Sequence, residues 1–206
     1  MKIKMCGLRR IEDILYANEV KPDYIGFIFA NTWRKVSIET AAKLRKILNT
    51  KIKAVGVFVN ESMEVMIQTA KEVPLDVIQL HGDETEEVIR TLRENLKIEI
   101  WKAARVQTAV DIENVQKLSV DKILLDSFSK DAYGGTGKVM NISLVEQACI
   151  KKSFFIAGGL TIENTGNIID RIKPFGIDIS SGIETEKKKD FNKMKKIMEI
   201  TGGKNE

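Results

Sequence analysis

The sequence is poor in the residues that form covalent cross-links and metal centres. It has two cysteines, Cys6 and Cys149, and a single histidine, His81, in 206 residues. Two cysteines are too few for a disulfide framework and favour a reducing compartment, so we expect a cytoplasmic location. One histidine, with no cysteine cluster and no two-histidine spacing, argues against a metal site.

Long apolar runs are absent as well. No run approaches the roughly 20 apolar residues of a membrane span, so we expect no membrane partner. The first residues lack the apolar region and cleavage site of a secretory signal. The formal charge of +4 is dispersed, and the basic cluster at residues 187–189 has few aromatic residues around it. We therefore expect a solvated helix start there, no nucleic-acid partner, and a charge that attracts an anionic small molecule.

Short apolar runs alternate with helical patterns along the whole chain. The runs are dense in Ile, Val and Phe, which is typical of parallel strands covered on both faces. Eight such units in about 200 residues predict an α/β protein with a single-domain (β/α)8 barrel over residues 1–206. An open doubly wound sheet is the alternative. The predicted strands are residues 3–6, 24–29, 54–59, 77–80, 98–101, 123–125, 154–157 and 177–179, and the predicted helices 38–48, 64–73, 86–96, 110–118, 142–150, 163–172 and 191–200.

Helix starts can be assigned from capping residues. Ser37 and Thr161 are placed to cap the second and seventh helices. Asp83, with Glu86 three residues later, predicts a capping pair for the fourth helix. Cys149 falls inside a helical pattern and is predicted to lie in the core.

Two joints between strand and helix are built of small residues. Gly158 and Gly159 follow the seventh strand, and Ser180, Ser181 and Gly182 follow the eighth. Such residues let backbone N–H groups approach an anion, which a helix N-terminus also attracts. In a (β/α)8 barrel the loops after these two strands frequently bind phosphate, so we predict a phosphate site here.

Polar residues at the ends of the other strands are candidates for chemistry, because barrel enzymes react at that end. Each also has a structural alternative: Cys6 as a small buried hydrophobe, Asp126 and Asp178 as helix caps, His81 as a loop contact, and Asn60 as an N-cap. The candidates are Cys6, Arg34, Asn60, His81, Lys102, Arg105, Asp126 and Asp178.

A long interval rich in glycine follows Asp126 and contains Gly134, Gly135, Thr136, Gly137 and Lys138. An interval of this length in a compact barrel predicts a binding loop or lid. The glycine spacing does not match GxxxxGK[ST], and no Ser or Thr follows Lys138, which argues against a nucleotide triphosphatase.

In combination, the motifs resemble the phosphoribosylanthranilate isomerase family over nearly the whole chain. They are KMCGL at residues 4–8, GFIFA at 26–30, RKVS at 34–37, GVFVN at 56–60, QLHG at 79–82, DSF at 126–128, GGTGK at 134–138, AGGL at 157–160 and DISSG at 178–182. The resemblance implies a barrel enzyme of tryptophan biosynthesis. Its reaction is the Amadori rearrangement of N-(5-phosphoribosyl)anthranilate to 1-(2-carboxyphenylamino)-1-deoxyribulose 5-phosphate, without a cofactor.

The resemblance also implies roles for particular residues. Cys6 is expected to be the general base, Asp126 the general acid, and Arg34 the ligand of the anthranilate carboxylate. Asp178, His81 and Asn60 are expected to bind substrate, the small residues after strands seven and eight to hold its phosphate, and the glycine loop to close over it. An acid–base pair working near neutral pH would need the pKa of Cys6 lowered and that of Asp126 raised. Relatives occur as monomers and dimers, so either state is expected.

The chain departs from the family pattern in the loop after the second strand, and other functions have to be compared with the isomerase. Many relatives read SPRYV where residues 32–36 are TWRKV, so the arginine is kept while a proline and a tyrosine are missing. Two other sugar-phosphate enzymes are disfavoured. A ribulose-phosphate epimerase would require metal-binding histidines, and the isomerase shared with histidine synthesis has an aspartate at the position of Cys6. A catalytically silent binding subunit is disfavoured because Cys6, Asp126 and Arg34 occur together.

Overall fold

A computed structural model describes residues 1–127 and 141–202. Strands and helices alternate along these residues. The strands are β1 (Lys2–Cys6), β2 (Tyr24–Ile28), β3 (Lys53–Phe58), β4 (Val77–Leu80), β5 (Glu99–Val106), β6 (Lys122–Ser127), β7 (Phe154–Ile156) and β8 (Gly176–Ile179). The helices are α1 (Ile11–Val20), α2 (Ile38–Ile47), α3 (Met63–Glu72), α4 (Glu86–Asn95), α5 (Ala109–Lys117), α6 (Ile142–Gln147), α7 (Ile162–Ile172) and α8 (Phe191–Ile200).

The strands close into a parallel barrel in sequence order. Each strand pairs with the next, and β1 also pairs with β8, where Lys4 is the register partner of Asp178. The predicted (β/α)8 barrel is therefore confirmed, and the open doubly wound sheet is excluded. Closure places the C-terminal ends of all eight strands around one opening, which is where barrel active sites form.

The interior of the barrel changes from large to small side chains along the strands. Tyr24, Trp101 and Phe155 pack edge-to-face or stacked, with ring centroids 4.7 to 5.8 Å apart. Val57 and Ala157, further along their strands, are small and leave open space. The aromatic layer closes the N-terminal half of the barrel, and the cavity described below lies above it. The larger apolar core fills the space between barrel and helices.

Two of the predicted helix caps are confirmed. Ser37 precedes α2, and its hydroxyl accepts a hydrogen bond from the Thr40 N–H at 3.1 Å. Thr161 precedes α7 and donates its own N–H to Asn164 Oδ1 at 2.8 Å. The predicted Asp83–Glu86 capping pair is wrong, because Thr85, not Asp83, occupies the N-cap position immediately before α4.

Three further sequence-based expectations fail for identifiable reasons. Helix α1 is missing from the predicted helices, because its exposed face carries the apolar Ile11 and Leu15 and so obscures the helical period. Cys149 lies just after the short helix α6 and is exposed, not in the core. Residues 187–189 do not begin a helix: β9 (Glu184–Thr185) and β10 (Lys188–Lys189) form a small hairpin, and Lys189 is buried.

In the part of the chain that the structure describes, no helix has the length and apolar character needed to cross a membrane.

We predict that Phe155→Ala lowers the free energy of unfolding by about 3–5 kcal/mol, because it removes a fully buried ring from the aromatic layer. Urea denaturation measures the change. Leu15→Ala is the control, since Leu15 is 54% exposed on α1 and its loss should matter by no more than about 0.5 kcal/mol. Similar losses in the two variants would contradict the assignment of the aromatic layer to the core.

Candidate active site

A cavity with a volume of about 340 Å³ opens at the C-terminal ends of the strands. Most of the residues predicted from the sequence lie on its wall, although they come from β1, β6 and β8 and from the loops after β2, β4, β7 and β8. Those predicted residues are Cys6, Arg34, His81, Asp126, Gly158, Gly159, Asp178, Ser180 and Ser181. The barrel thus brings the thiol, both carboxyl groups and the small residues into one space.

Asp126, on β6, is buried and firmly held. Its Oδ2 lies 3.1 Å from His81 Nε2, and its Oδ1 accepts the backbone N–H of Ser127 at 2.8 Å. Gln79 Nε2 is 2.9 Å from His81 Nδ1. Because an amide nitrogen is a donor, this contact makes Nδ1 the acceptor and leaves the ring hydrogen on Nε2, which donates to Asp126. Gln79 and His81 therefore orient the carboxyl group.

Cys6 is the last residue of β1 and lies buried against the cavity. Burial raises the pKa of its thiol above the ordinary value, and the nearby Asp178 carboxylate adds to this effect. The positive charges of Lys4 and Lys189 act in the opposite direction but do not outweigh burial. The predicted downward shift of the Cys6 pKa is therefore wrong for this structure.

Lys4 was not identified from the sequence as a site residue. Its side chain is fully buried, and its Nζ donates to Asp178 Oδ2 at 2.8 Å. Burial alone would lower the pKa of Lys4, but Asp178 and Cys6 raise it above its ordinary value, so the ammonium form is retained. The available signal was its position two residues before Cys6 on one strand, which puts both side chains on the same face.

Asp178 keeps one oxygen available. Its Oδ2 accepts from Lys4, while its buried Oδ1 accepts no hydrogen bond from residues 1–127 and 141–202. A buried acceptor without a partner is uncommon in folded proteins and is typical of a site that binds a ligand donor. Asp178 lines the cavity, so a ligand there can supply the missing donor.

Arg34 is held by a carboxylate that the sequence analysis also missed. Its Nε and Nη2 donate to the two oxygens of Glu184 at 2.9 and 2.8 Å, and its guanidinium lies over the Trp33 ring at 4.1 Å. Lys189 donates to the same Glu184 at 2.8 Å. Burial tends to raise the pKa of Glu184, but its hydrogen bonds from Arg34 and Lys189 bring that pKa below the ordinary value. Glu184 is thus a carboxylate that fixes the guanidinium plane.

The small residues after β7 and β8 are required by close backbone packing. Gly158 has φ +85°, and a Cβ there would lie 2.6 Å from Ser127 N and 2.8 Å from Asp126 Oδ1. A Cβ on Gly182 would lie 2.0 Å from the Leu160 carbonyl oxygen. Ser180 donates its hydroxyl to the Cys6 carbonyl at 2.9 Å, which ties the loop after β8 to β1. These contacts hold both loops against the two residues predicted to react.

The comparisons with known proteins agree with this geometry. The family model described as N-(5'phosphoribosyl)anthranilate (PRA) isomerase matches residues 3–200. The chain belongs to this family. The family resemblance and the isomerase class expected from the motifs are therefore confirmed.

Similar proteins cover nearly the full length of the chain. An N-(5'-phosphoribosyl)anthranilate isomerase of Thermoanaerobacter sp. (strain X514) is 42% identical over 203 residues, or 98% of either chain. That of Acetivibrio thermocellus is 44% identical over 212 residues, covering 98% of this chain and 97% of the relative. The solved phosphoribosyl anthranilate isomerase of Thermotoga maritima is 32% identical with a TM-score of 0.85, covering 98% of this chain and 99% of that one.

Another solved member of the family carries a ligand. It is a complex with reduced 1-(o-carboxyphenylamino)-1-deoxyribulose 5-phosphate, 32% identical with a TM-score of 0.82, covering 99% of this chain and all of that chain.

Some residues expected from the family pattern are not brought to the cavity. Asn60 and Gly182 are absent from the described residues that line it. Asn60, at φ +51°, accepts the Asp83 N–H at 2.7 Å and so joins the loops after β3 and β4. It is not an N-cap either, since Ser62 caps α3. Lys102 and Arg105 line a separate pocket beside α5. The predicted lid residues 134–138 lie outside the described residues.

We predict that Gly158→Ala lowers the free energy of unfolding by about 1–2 kcal/mol, because alanine is disfavoured at positive φ. The clash with Ser127 can only add to this loss. Gly166→Ala is the matched control: Gly166 lies within α7, and its new Cβ would meet only Ile200, at 3.6 Å. That substitution should raise the free energy of unfolding by about 0.5–1 kcal/mol. Chemical denaturation measures both, and changes of the same sign would contradict the tight packing at Gly158.

Proposed function

We propose that the chain isomerises N-(5'-phosphoribosyl)anthranilate to 1-(2-carboxyphenylamino)-1-deoxyribulose 5-phosphate, with Cys6 as general base and Asp126 as general acid. The isomerase class follows from membership of the family. The observation that supports these roles is that a thiol and a carboxyl group from β1 and β6 line one cavity, together with two loops of small residues.

The reaction needs an acid and a base at different atoms of the sugar. An acid protonates the ribose ring oxygen, and the C1–O bond breaks to give an open-chain iminium (protonated Schiff base). A base then removes the proton from C2; the C–H electron pair forms the C1=C2 double bond, and the C1=N π pair moves onto nitrogen to give an enolamine. Tautomerisation yields the ketone, with no net change of oxidation state and no cofactor. A group near each of the two atoms is therefore sufficient.

Asp126 suits the acid role because it is oriented before substrate arrives. The Nε2–H of His81 and the N–H of Ser127 fix both oxygens of the carboxyl group, and they also remain to stabilise the carboxylate left after proton transfer. His81 therefore serves the substrate indirectly, by holding the acid. Cys6 suits the base role because its thiol lines the same cavity at the end of β1.

Arg34 is proposed to bind the anthranilate carboxylate. Guanidinium has five N–H donors, and Glu184 occupies one on Nε and one on Nη2. The Nη1 edge remains for a ligand carboxylate, while Glu184 and the Trp33 ring fix the plane in which it is presented.

The remaining contacts divide between the sugar and the phosphate. The unpartnered Oδ1 of Asp178 is proposed to accept a hydrogen bond from the substrate amine or a sugar hydroxyl. The backbone N–H groups of Gly158, Gly159, Ser180 and Ser181 are proposed to bind the phosphate, near the start of α7. Gly182 supports this site through its close contact with Leu160.

The wider setting completes the proposal. One domain over residues 1–206 is supported by a barrel and helices that run from Lys2 to Ile200. We propose a cytoplasmic enzyme that acts as a monomer or a homodimer on an anionic sugar phosphate. One solved structure, 33% identical with a TM-score of 0.84 and covering 99% of this chain and all of that chain, is of monomers generated from the dimeric isomerase of Thermotoga maritima.

We expect Cys6→Ala and Asp126→Asn each to lower kcat/KM by about 10²–10⁴-fold, the usual contribution of a positioned acid or base. The assay follows the loss of substrate fluorescence on addition of enzyme to freshly prepared N-(5'-phosphoribosyl)anthranilate. Cys149→Ala is the control, because this exposed cysteine lies outside the cavity wall and should leave the rate unchanged. Near-normal rates in both cavity variants would refute the assigned roles.

We also expect kcat/KM to rise with pH through a limb that lies above the ordinary pKa of a thiol. The base must be deprotonated, and burial raises the pKa of Cys6, so the active fraction grows as pH approaches that raised value. The pH dependence of kcat/KM reports the free enzyme and measures the position of the limb. A limb at or below the ordinary thiol value would contradict this expectation.

A further inference from the structure

The interior of the barrel contains a charged side chain, that of Lys4, which the packing of the fold does not require. Lys4 is 0% exposed and lies among the apolar side chains and the thiol of β1, whereas the other lysine of that strand, Lys2, is exposed. A lysine is rarely buried without a partner, and a buried ion pair is seldom more stabilising than apolar side chains of similar volume. The presence of Lys4 and Asp178 at this position therefore points to a role in the chemistry of the cavity.

Lys4 and Cys6 border the same small space. They are two residues apart on β1 and point to the same side of the strand. Gly26, the register partner of Cys6 on β2, leaves this space open. A Cβ on Gly26 would lie 2.6 Å from Cys6 Sγ and 3.3 Å from Lys4 Nζ, so both atoms occupy the room that a side chain there would take.

Asp178 fixes the ammonium group in this place. It is the register partner of Lys4 across the closure of the barrel, and its Oδ2 accepts from Nζ at 2.8 Å. The charged groups acting on Cys6 are thus Lys4 from its own strand, Asp178 from β8 and Lys189 from β10. Lys189 is already engaged by Glu184 and the Ser180 carbonyl, at 2.8 and 3.0 Å. Of the two cations, Lys4 has the larger effect on the thiol.

We propose that Lys4 is a positioning residue for Cys6: its ammonium group, held by Asp178, stabilises the thiolate that removes the C2 proton. The inference rests on the proposed function, because it takes Cys6 as the base. In the step concerned, the S–H bond forms as the C2–H bond breaks; the C–H electron pair becomes the C1=C2 double bond, and the π pair of the C1=N iminium moves onto nitrogen. Lys4 stays protonated throughout and faces thiolate before the step and thiol after it.

The test is a titration of the Cys6 thiolate by its ultraviolet absorbance. Each variant is compared with the same variant carrying Cys6→Ala, so that the difference belongs to Cys6 alone. In Lys4→Met we expect the apparent pKa of Cys6 to rise by about one unit or more, which lowers the thiolate fraction at a given pH about tenfold. Lys4→Arg keeps the charge and should recover part of the shift.

Lys102→Met is the matched control. Lys102 is also a buried lysine of the barrel, paired with Glu84 at 3.0 Å, but it lines the separate pocket beside α5. Its removal should leave the titration of Cys6 unchanged. A shift equal to that of Lys4→Met would show a general response to lost ion pairs and overturn the inference, as would an unshifted Lys4→Met that circular dichroism shows to be folded.

A second variant covers the case in which Lys4→Met does not fold. Asp178→Asn removes the negative charge that opposes the thiolate but keeps an amide oxygen that can accept from Lys4 Nζ, so the apparent pKa of Cys6 should fall. A merely structural pair would not give this sign, and an unchanged or raised value overturns the inference.

Failure of the inference is distinguishable from failure of the proposed function. If Cys6→Ala abolishes turnover while Lys4→Met and Asp178→Asn leave the apparent pKa of Cys6 unchanged, only the proposed role of Lys4 is refuted. If Cys6→Ala turns over normally, Cys6 is not the base, whatever the titration shows. The expected result is loss of turnover in Cys6→Ala, together with thiolate titrations that shift in opposite directions in the two charge variants.

Discussion

Closure of the barrel between β1 and β8 determines which groups surround the thiol. The register of this pair sets Lys4 beside Asp178, and the loop after β8 returns Ser180 to the carbonyl of Cys6. A shift of one residue would turn every side chain of β1 to the other face, moving Cys6 out of the cavity and Lys4 into the apolar layer beneath the helices. The ion pair, the proposed base and one loop of the proposed phosphate site therefore depend on one strand pairing.

The gradient of side-chain size inside the barrel provides the second constraint. The aromatic layer of Tyr24, Trp101 and Phe155 fills the N-terminal half, and the cavity opens at the other end of the barrel. Above it, the small side chains of Val57 and Ala157 leave a cavity whose polar wall comes from the strand ends. Removing reacting groups from water strengthens their interactions with one another, and this makes the burial of Cys6 and Lys4 useful as well as costly.

The sequence is sufficient to predict the barrel and most of the cavity wall, because strand and helix periods and the small residues at strand ends are local signals. The sequence is insufficient where the role of a residue depends on closure of the barrel. Lys4 lies inside a short apolar run; its spacing from Cys6 places both side chains on one face of the strand, but it does not say whether that face is the barrel interior or the outside. Lys189 and Glu184 are a second case of this kind. A basic cluster in a sequence predicts solvent exposure, and it is the folded β9–β10 hairpin that places Lys189 against Glu184, the carboxylate that also binds Arg34. The predicted direction of the Cys6 pKa shift is wrong for the same reason, because desolvation of the thiol is a property of the closed barrel.

The charges of the site are arranged in pairs rather than as a positive patch. Asp178 neutralises Lys4, and Glu184 is shared by Arg34 and Lys189, so each of these buried cations already has an anion within 2.9 Å. Pairing weakens the attraction that these cations exert on an anionic substrate, but it fixes where each N–H points before binding. Such preorganisation avoids reorientation of the donors at the moment of reaction, which is the larger part of electrostatic catalysis. In the proposed complex, the doubly charged phosphate depends on the backbone N–H groups of the loops after β7 and β8, whose donors need no counter-ion. That division of labour explains why a site for an anionic substrate can be built in a chain with a net charge of only +4.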